Sequence, residues 1–130
     1  MIVLDASAVI AIFYGSDPHH EKAAMLLVDN AQGGFVVHPV TLAECLVGAA
    51  RVGRINQIHR QIRNMGIEVF SPDADEPLLI AEVRANTGLK LPDCYVLAAA
   101  LALSAPLISF DNRLCETARA QSVAVVEQIE

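Results

Sequence analysis

Four carboxylates stand where the pattern of this sequence passes from one element to the next: Asp5, Glu44, Asp93 and Asp111. Their contexts, IVLDASAV, TLAECL, KLPDCYVL and LISFDNRL, are apolar or small. A charge in such a setting is costly unless something cationic neutralises it. Two carboxylates about 5 Å apart repel by roughly 3 kcal/mol at an effective dielectric near 20. Four of them in one pocket therefore call for a cation. Ligands that are all oxygen, without accompanying His or Cys, suit Mg2+ or Mn2+ rather than Zn2+.

Each acid also has a plainer reading. Asp5, with Ser7, is placed to cap a helix starting near Ala8, but Ser7 alone would serve and leaves Asp5 unexplained. Asp93 follows Pro92 at a helix start, where the helix dipole favours a negative charge by at most about 1 kcal/mol. Glu44 has Val40, Thr41, Val47 and Gly48 as helical neighbours, a small apolar face without Lys or Arg. Asp111 or Asn112 is able to cap the last helix, and Ser109 shares a side with Asp111 if the strand continues. Cys45 and Cys94 each follow an acid. Adjacent helical residues point about 100° apart, so these read as core thiols rather than co-ligands. His19, His20, His38 and His59 show no metal-binding spacing and read as solvated or structural.

Those acids must be positioned by a single domain spanning residues 1–130, an ordinary size for one core. The apolar fraction of 54% and mean hydropathy of +0.43 are high for so small a chain. That leaves apolar surface for a dimer or a bound partner. The net charge of −6 argues against a general nucleic-acid binder. The cations are segregated, however: Arg51, Arg54, Arg60 and Arg63 fall in a stretch that has no Asp or Glu. Three scattered cysteines without a CxxC pair point to a reducing cytoplasm. The uncharged run over residues 94–110 is too short, and too interrupted by Ser104 and Pro106, to span a membrane.

Short β-like runs alternate with helical stretches. Strands are expected at IVLD, FVVH, IEVF, PLISF and VAVV. Helices are expected after the first strand and over residues 19–31, 41–52, 54–64, 75–87, 92–104 and 112–121. Strands that are continuously apolar imply a mostly parallel sheet covered on both faces, a three-layer α/β/α domain. Ligands in such domains sit outside the carboxyl ends of the strands, where Asp5 and Asp111 fall.

The order of these acids in their contexts resembles a PIN-domain ribonuclease, and in particular the VapC toxins of toxin–antitoxin pairs. The resemblance covers essentially the whole chain. It rests on Ile2-Val3-Leu4-Asp5-Ala6-Ser7-Ala8, Thr41-Leu42-Ala43-Glu44, Leu91-Pro92-Asp93 with its Ala-rich helix, and Leu107-Ile108-Ser109-Phe110-Asp111. It implies a homodimer, an antitoxin partner and metal-dependent hydrolysis of RNA. Asp5, Asp93 and Asp111 would be ligands of Mg2+ or Mn2+, and Glu44 a further catalytic carboxylate. Ser7 and Ser109 would support the pocket on the substrate side, and Arg51 and Arg54 would contact RNA phosphates. The alternative is a catalytically inert PIN-like module that only docks a partner. A phosphoacceptor domain would want adjacent acids at the first strand and a late lysine; here Asp5 stands alone and no lysine follows Lys90. A haloacid-dehalogenase-type phosphatase would want Asp-x-Asp where this chain has Asp5-Ala6-Ser7.

Overall fold

The computed structural model describes residues 1–127; residues 128–130 lie outside it. Four short strands, β1 (Ile2–Leu4), β2 (Phe35–Val37), β3 (Ile67–Val69) and β4 (Leu107–Ile108), form one sheet in the order β3-β2-β1-β4. Every pairing is parallel, with Val3 registered against both Val36 and Leu107. Parallel neighbours need crossover connections. Helices supply them: α1 (Ala6–Phe13), α2 (His20–Asp29), α3 (Pro39–Arg51), α4 (Ile55–Asn64), α5 (Glu76–Thr87), α6 (Leu91–Leu103) and α7 (Asn112–Ala120).

Alternation along the strands divides the core in two. Val3, Val36 and Leu107 face one cluster, built with Ile80 and Val83 of α5, the buried face of α6, and Leu114 and Ala118 of α7. Ile2, Leu4, Phe35, Val37, Ile67 and Ile108 face the other, built with Ala8 and Val9 of α1, Leu26 of α2 and Ile62 of α4. This is the expected three-layer α/β/α arrangement around a parallel sheet. α3 lies between the layers and packs on α1, α4 and α6.

The expected fifth strand is reduced to a single bridge, Leu107 with Val125. Leu107 exchanges two backbone hydrogen bonds with this segment, at 2.9 and 2.8 Å. β4 is only two residues long, so it offers no further ladder. The boundaries shift for local reasons. α3 begins at Pro39, two residues early, because the His38 side chain caps it. The helix expected to reach residue 31 stops at Asp29 and tightens into a 3-10 turn over Ala31–Gly33. Among the described residues no helix is long and apolar enough to cross a membrane.

Candidate active site

Asp5 sits at the carboxyl end of β1 and is 4% exposed. Its Oδ1 accepts from the Ala8 N–H at 2.9 Å, so Asp5 itself is the cap of α1. This bears out the plainer reading of Asp5 as a helix cap and corrects the expectation that Ser7 alone would serve. The Ser7 hydroxyl instead donates to Asp5 Oδ1 at 2.7 Å. The Ser109 hydroxyl donates to Asp5 Oδ2 at 2.5 Å. Both serines are in turn held by backbone: Phe110 N–H donates to Ser7 Oγ, and Asp111 N–H to Ser109 Oγ. The end of β4 and the start of α1 are thereby laced together through one carboxylate.

The other three acids arrive from separate elements. Glu44 projects from the second turn of α3 and is exposed. Asp93 lies in the first turn of α6, half-buried, and Asp111 caps α7 by accepting from the Leu114 N–H at 3.0 Å. The four are brought within electrostatic reach of one another. Burial raises the Asp5 carboxyl above its usual range against the pull of Ser109, Ser7 and Ala8, and the charge of Asp111 adds to the rise. Burial raises Glu44, and Asp5 raises it further. Burial raises Asp93 as well, with Asp111, Asp5 and Glu44 all pushing the same way. Cys45, beside Glu44 on α3, is pushed up to about 12 by burial and then by Glu44 and Asp5, so it is an inert thiol.

This donor set fits a divalent cation. Neither Asp93 nor Glu44 has a hydrogen-bond partner among the described residues, while the charges around them are of one sign apart from Lys90. Carboxylates in that condition are stabilised by a cation that is hard and takes oxygen. The side chains do not close on one as they stand: among the described residues no three of His, Cys, Asp and Glu form a ligating group. Asp5 and Asp111 are tied to helix starts by their capping bonds.

The expected basic contacts lie farther out. Arg51 is exposed in the last turn of α3, seven residues beyond Glu44. Two helical turns place it on the same face, about 10 Å along the axis. Arg54 is exposed just before α4, with its Nε donating to Gln57 Oε1 at 3.0 Å. The cation acting on the acids themselves is Lys90, which lowers Asp93. Sequence reading passed it over; its only signal was its place three residues before Asp93. Thr41, one turn before Glu44, has a fully buried hydroxyl without a hydrogen-bond partner among the described residues. His38 is 2% exposed and fixes the start of α3, its Nδ1 accepting from the Val40 N–H at 3.0 Å. Its Nε2 meets both oxygens of Glu76 at 2.9 and 3.1 Å, and its ring packs 4.7 Å from that of Tyr95 on α6. Thus the helices carrying Glu44 and Asp93 are clamped to each other through one side chain.

The profile of the PIN domain family matches residues 2–120. No curated protein sequence matches the chain. Among solved structures it is similar to FitAcB from Neisseria gonorrhoeae, at 20% identity over 98% of this chain and 97% of that one, with a TM-score of 0.73. It is similar to VapC20 of Mycobacterium tuberculosis, described as a sarcin–ricin-loop-cleaving toxin, at 17% identity over 98% and 100%, TM-score 0.73. It is also similar to VapBC2 from Rickettsia felis bound to a promoter DNA fragment, at 18% identity over 97% and 98%, TM-score 0.72.

Proposed function

The chain belongs to the PIN domain family, and from that premise we propose that it is a metal-dependent endoribonuclease, the toxin of a toxin–antitoxin pair. The observation that carries this reading is the convergence of Asp5, Glu44, Asp93 and Asp111, from four different elements, into one field of like charge. Asp5, Asp93 and Asp111 would hold Mg2+ or Mn2+. When bound, such an ion lowers the pKa of a water and stabilises the leaving oxygen of a phosphodiester.

The side chains divide the remaining work. Ser7 and Ser109 keep Asp5 oriented with its charge facing the pocket. Glu44, exposed and without a hydrogen-bond partner among the described residues, orients the attacking water and accepts its proton. Hydrolysis in line leaves 5′ phosphate and 3′ hydroxyl ends. Arg51 and Arg54 contact RNA phosphates beyond the acids. The likeness to structures of toxin–antitoxin assemblies supports an antitoxin partner, whose Arg or Lys would neutralise the same acids. Exposed Ile10, Tyr14, Val47 and Val52 supply apolar surface for that partner or for a second copy in a homodimer. The reaction belongs in the cytoplasm, where RNA and reduced thiols coexist.

The test is cleavage of RNA by the purified chain with Mg2+ or Mn2+, read by sequencing the new ends. Asp93→Asn should lower the rate by at least about 100-fold, as loss of a ligand should exceed loss of a ligand's neighbour, with circular dichroism unchanged. Undiminished cleavage by that variant removes Asp93 from the mechanism. Absence of both cleavage and Mg2+ binding by calorimetry would favour the inert docking module.

A further inference from the structure

Three of the nine basic residues, two of them six positions apart and the third from α7, meet at one loop beside the acids. Arg84 Nη1 donates to Gly88 O at 2.8 Å and to Leu89 O at 2.6 Å. Arg113 Nη2, from the start of α7, donates to the same Gly88 O at 3.2 Å. Lys90 follows directly and acts on Asp93. All three are exposed, and among the described residues none is paired with a carboxylate. Gly88 has φ +70°, a left-handed turn that presents its carbonyl to both guanidinium groups.

Two guanidinium groups on one oxygen repel each other, and a lysine beside them adds to the repulsion. The two carbonyls of Gly88 and Leu89 do not offset two full positive charges. Each guanidinium has five N–H donors, of which this loop occupies only one or two. The remaining donors and the Lys90 ammonium are available to an anion. Among the described residues only Arg119 of the nine basic residues is ion-paired with a carboxylate, so what sets this trio apart is that two guanidinium groups converge on one loop beside a third cation. The cluster also brackets the site in sequence: Lys90 is three residues before Asp93, and Arg113 is two residues after Asp111.

We propose that Arg84, Lys90 and Arg113 form a phosphate-binding station that grips the RNA backbone close to the acids, carried by other elements than those that carry Arg51 and Arg54. It rests on the reading of the acids as a nuclease centre and adds the grip that brings a polyanion to them. An acidic pocket repels RNA; a fixed cationic station one step away overcomes that repulsion and sets the register of the strand. Guanidinium groups recognise phosphate through paired N–H donors, and a lysine adds a point charge.

The test uses the full chain carrying Asp93→Asn, so that RNA is bound without being cut. Binding of a labelled single-stranded RNA is followed by fluorescence anisotropy across a salt series. Removing one side chain that neutralises a phosphate should reduce the slope of log K against log salt by about 0.7. Arg113→Gln removes one hydrogen bond and is expected to keep the fold, checked by thermal melting. It should lower the slope by that amount, and Lys90→Gln should do the same. Arg84→Gln, which loosens the loop as well, is the stronger but less clean variant. Slopes unchanged in both Arg113→Gln and Lys90→Gln, or a slope that falls only in Arg51→Gln with Arg54→Gln, overturn the proposal. Inorganic phosphate at matched ionic strength should shift RNA binding less than about twofold. If it displaces RNA while the variants leave the slope untouched, the cluster takes small anions only and the proposal fails. Wild-type cleavage with Mg2+ is measured alongside: its presence with unaltered slopes sinks the station alone, and its absence sinks the nuclease reading.

Discussion

Asp5 and His38 occupy equivalent places in the fold. Each follows a strand of the parallel sheet, β1 or β2, and each caps the next helix with its side chain. Each is almost completely buried, at 4% and 2% exposure. Beyond that they diverge. His38 has a matched environment: Val40 N–H on Nδ1, the Glu76 carboxylate on Nε2, and the rings of Tyr95 and Phe70 alongside. Because Nδ1 accepts, the ring proton resides on Nε2 and is donated to Glu76. Asp5 is hydrogen-bonded just as fully, yet its surroundings are three more acids. Burial with a complementary partner makes a clamp. Burial among like charges leaves a deficit that protonation or a cation would relieve, and on the proposed reading that difference separates a structural polar group from a functional one.

The largest effect that would break this comparison lies on the His38 side. His38→Ala removes a helix cap and leaves Glu76, whose side chain is 12% exposed, without its partner. Urea denaturation should show a loss of about 3 kcal/mol. A loss under about 1 kcal/mol would mean that the clamp is no clamp.

Next in size is the response of the acid side to a divalent ion. Mg2+ or Mn2+ at about 100 times its Kd should add roughly 2.7 kcal/mol of stability, and the gain should shrink on acidification. The sign follows from the raised carboxyls of Asp5, Glu44 and Asp93. Without metal the folded state holds protons more firmly than the unfolded chain. Stability from these groups is therefore complete below the ordinary carboxylate range, and it is lost as pH rises through the raised folded values. Melting in chelator should accordingly occur at a higher temperature near pH 5 than the acids alone would permit at pH 7, and added Mg2+ should close that gap. A gap that persists unchanged in saturating Mg2+ argues that the acids hold no metal.

The smallest effect sharpens the contrast at Asp5. An asparagine keeps an acceptor for Ser7 and Ala8 and removes the charge. Asp5→Asn should therefore raise metal-free stability at pH 7 by about 1 kcal/mol. A clear fall would mean that the charge-assisted bonds from Ser7 and Ser109 outweigh the repulsion.

Much of this architecture is legible along the chain. Apolar runs such as IVL and FVV, interleaved with helical stretches, indicate a parallel sheet with two covered faces, because burial on both sides leaves no polar alternation. Asp93 and Asp111 read correctly as helix-start acids, since Pro92 and Asn112 mark those starts locally. The role of Ser7 did not: whether Asp5 or Ser7 caps α1 depends on Phe110 N–H, which occupies Ser7 Oγ from more than 100 residues away. The VAVV segment reads as a strand by composition, but strand length also depends on how much edge the neighbour offers, and β4 offers two residues.

What the order of residues settled alone was the kind of fold and the list of costly charges, because periodicity and desolvation act on each residue where it stands. Only the folded chain decided which charges meet. Arg84 and Arg113 share the Gly88 carbonyl, and Asp5 shares its two oxygens with Ser7 and Ser109. Those contacts join segments that no local preference connects, and electrostatic energy depends on separation in space rather than along the backbone.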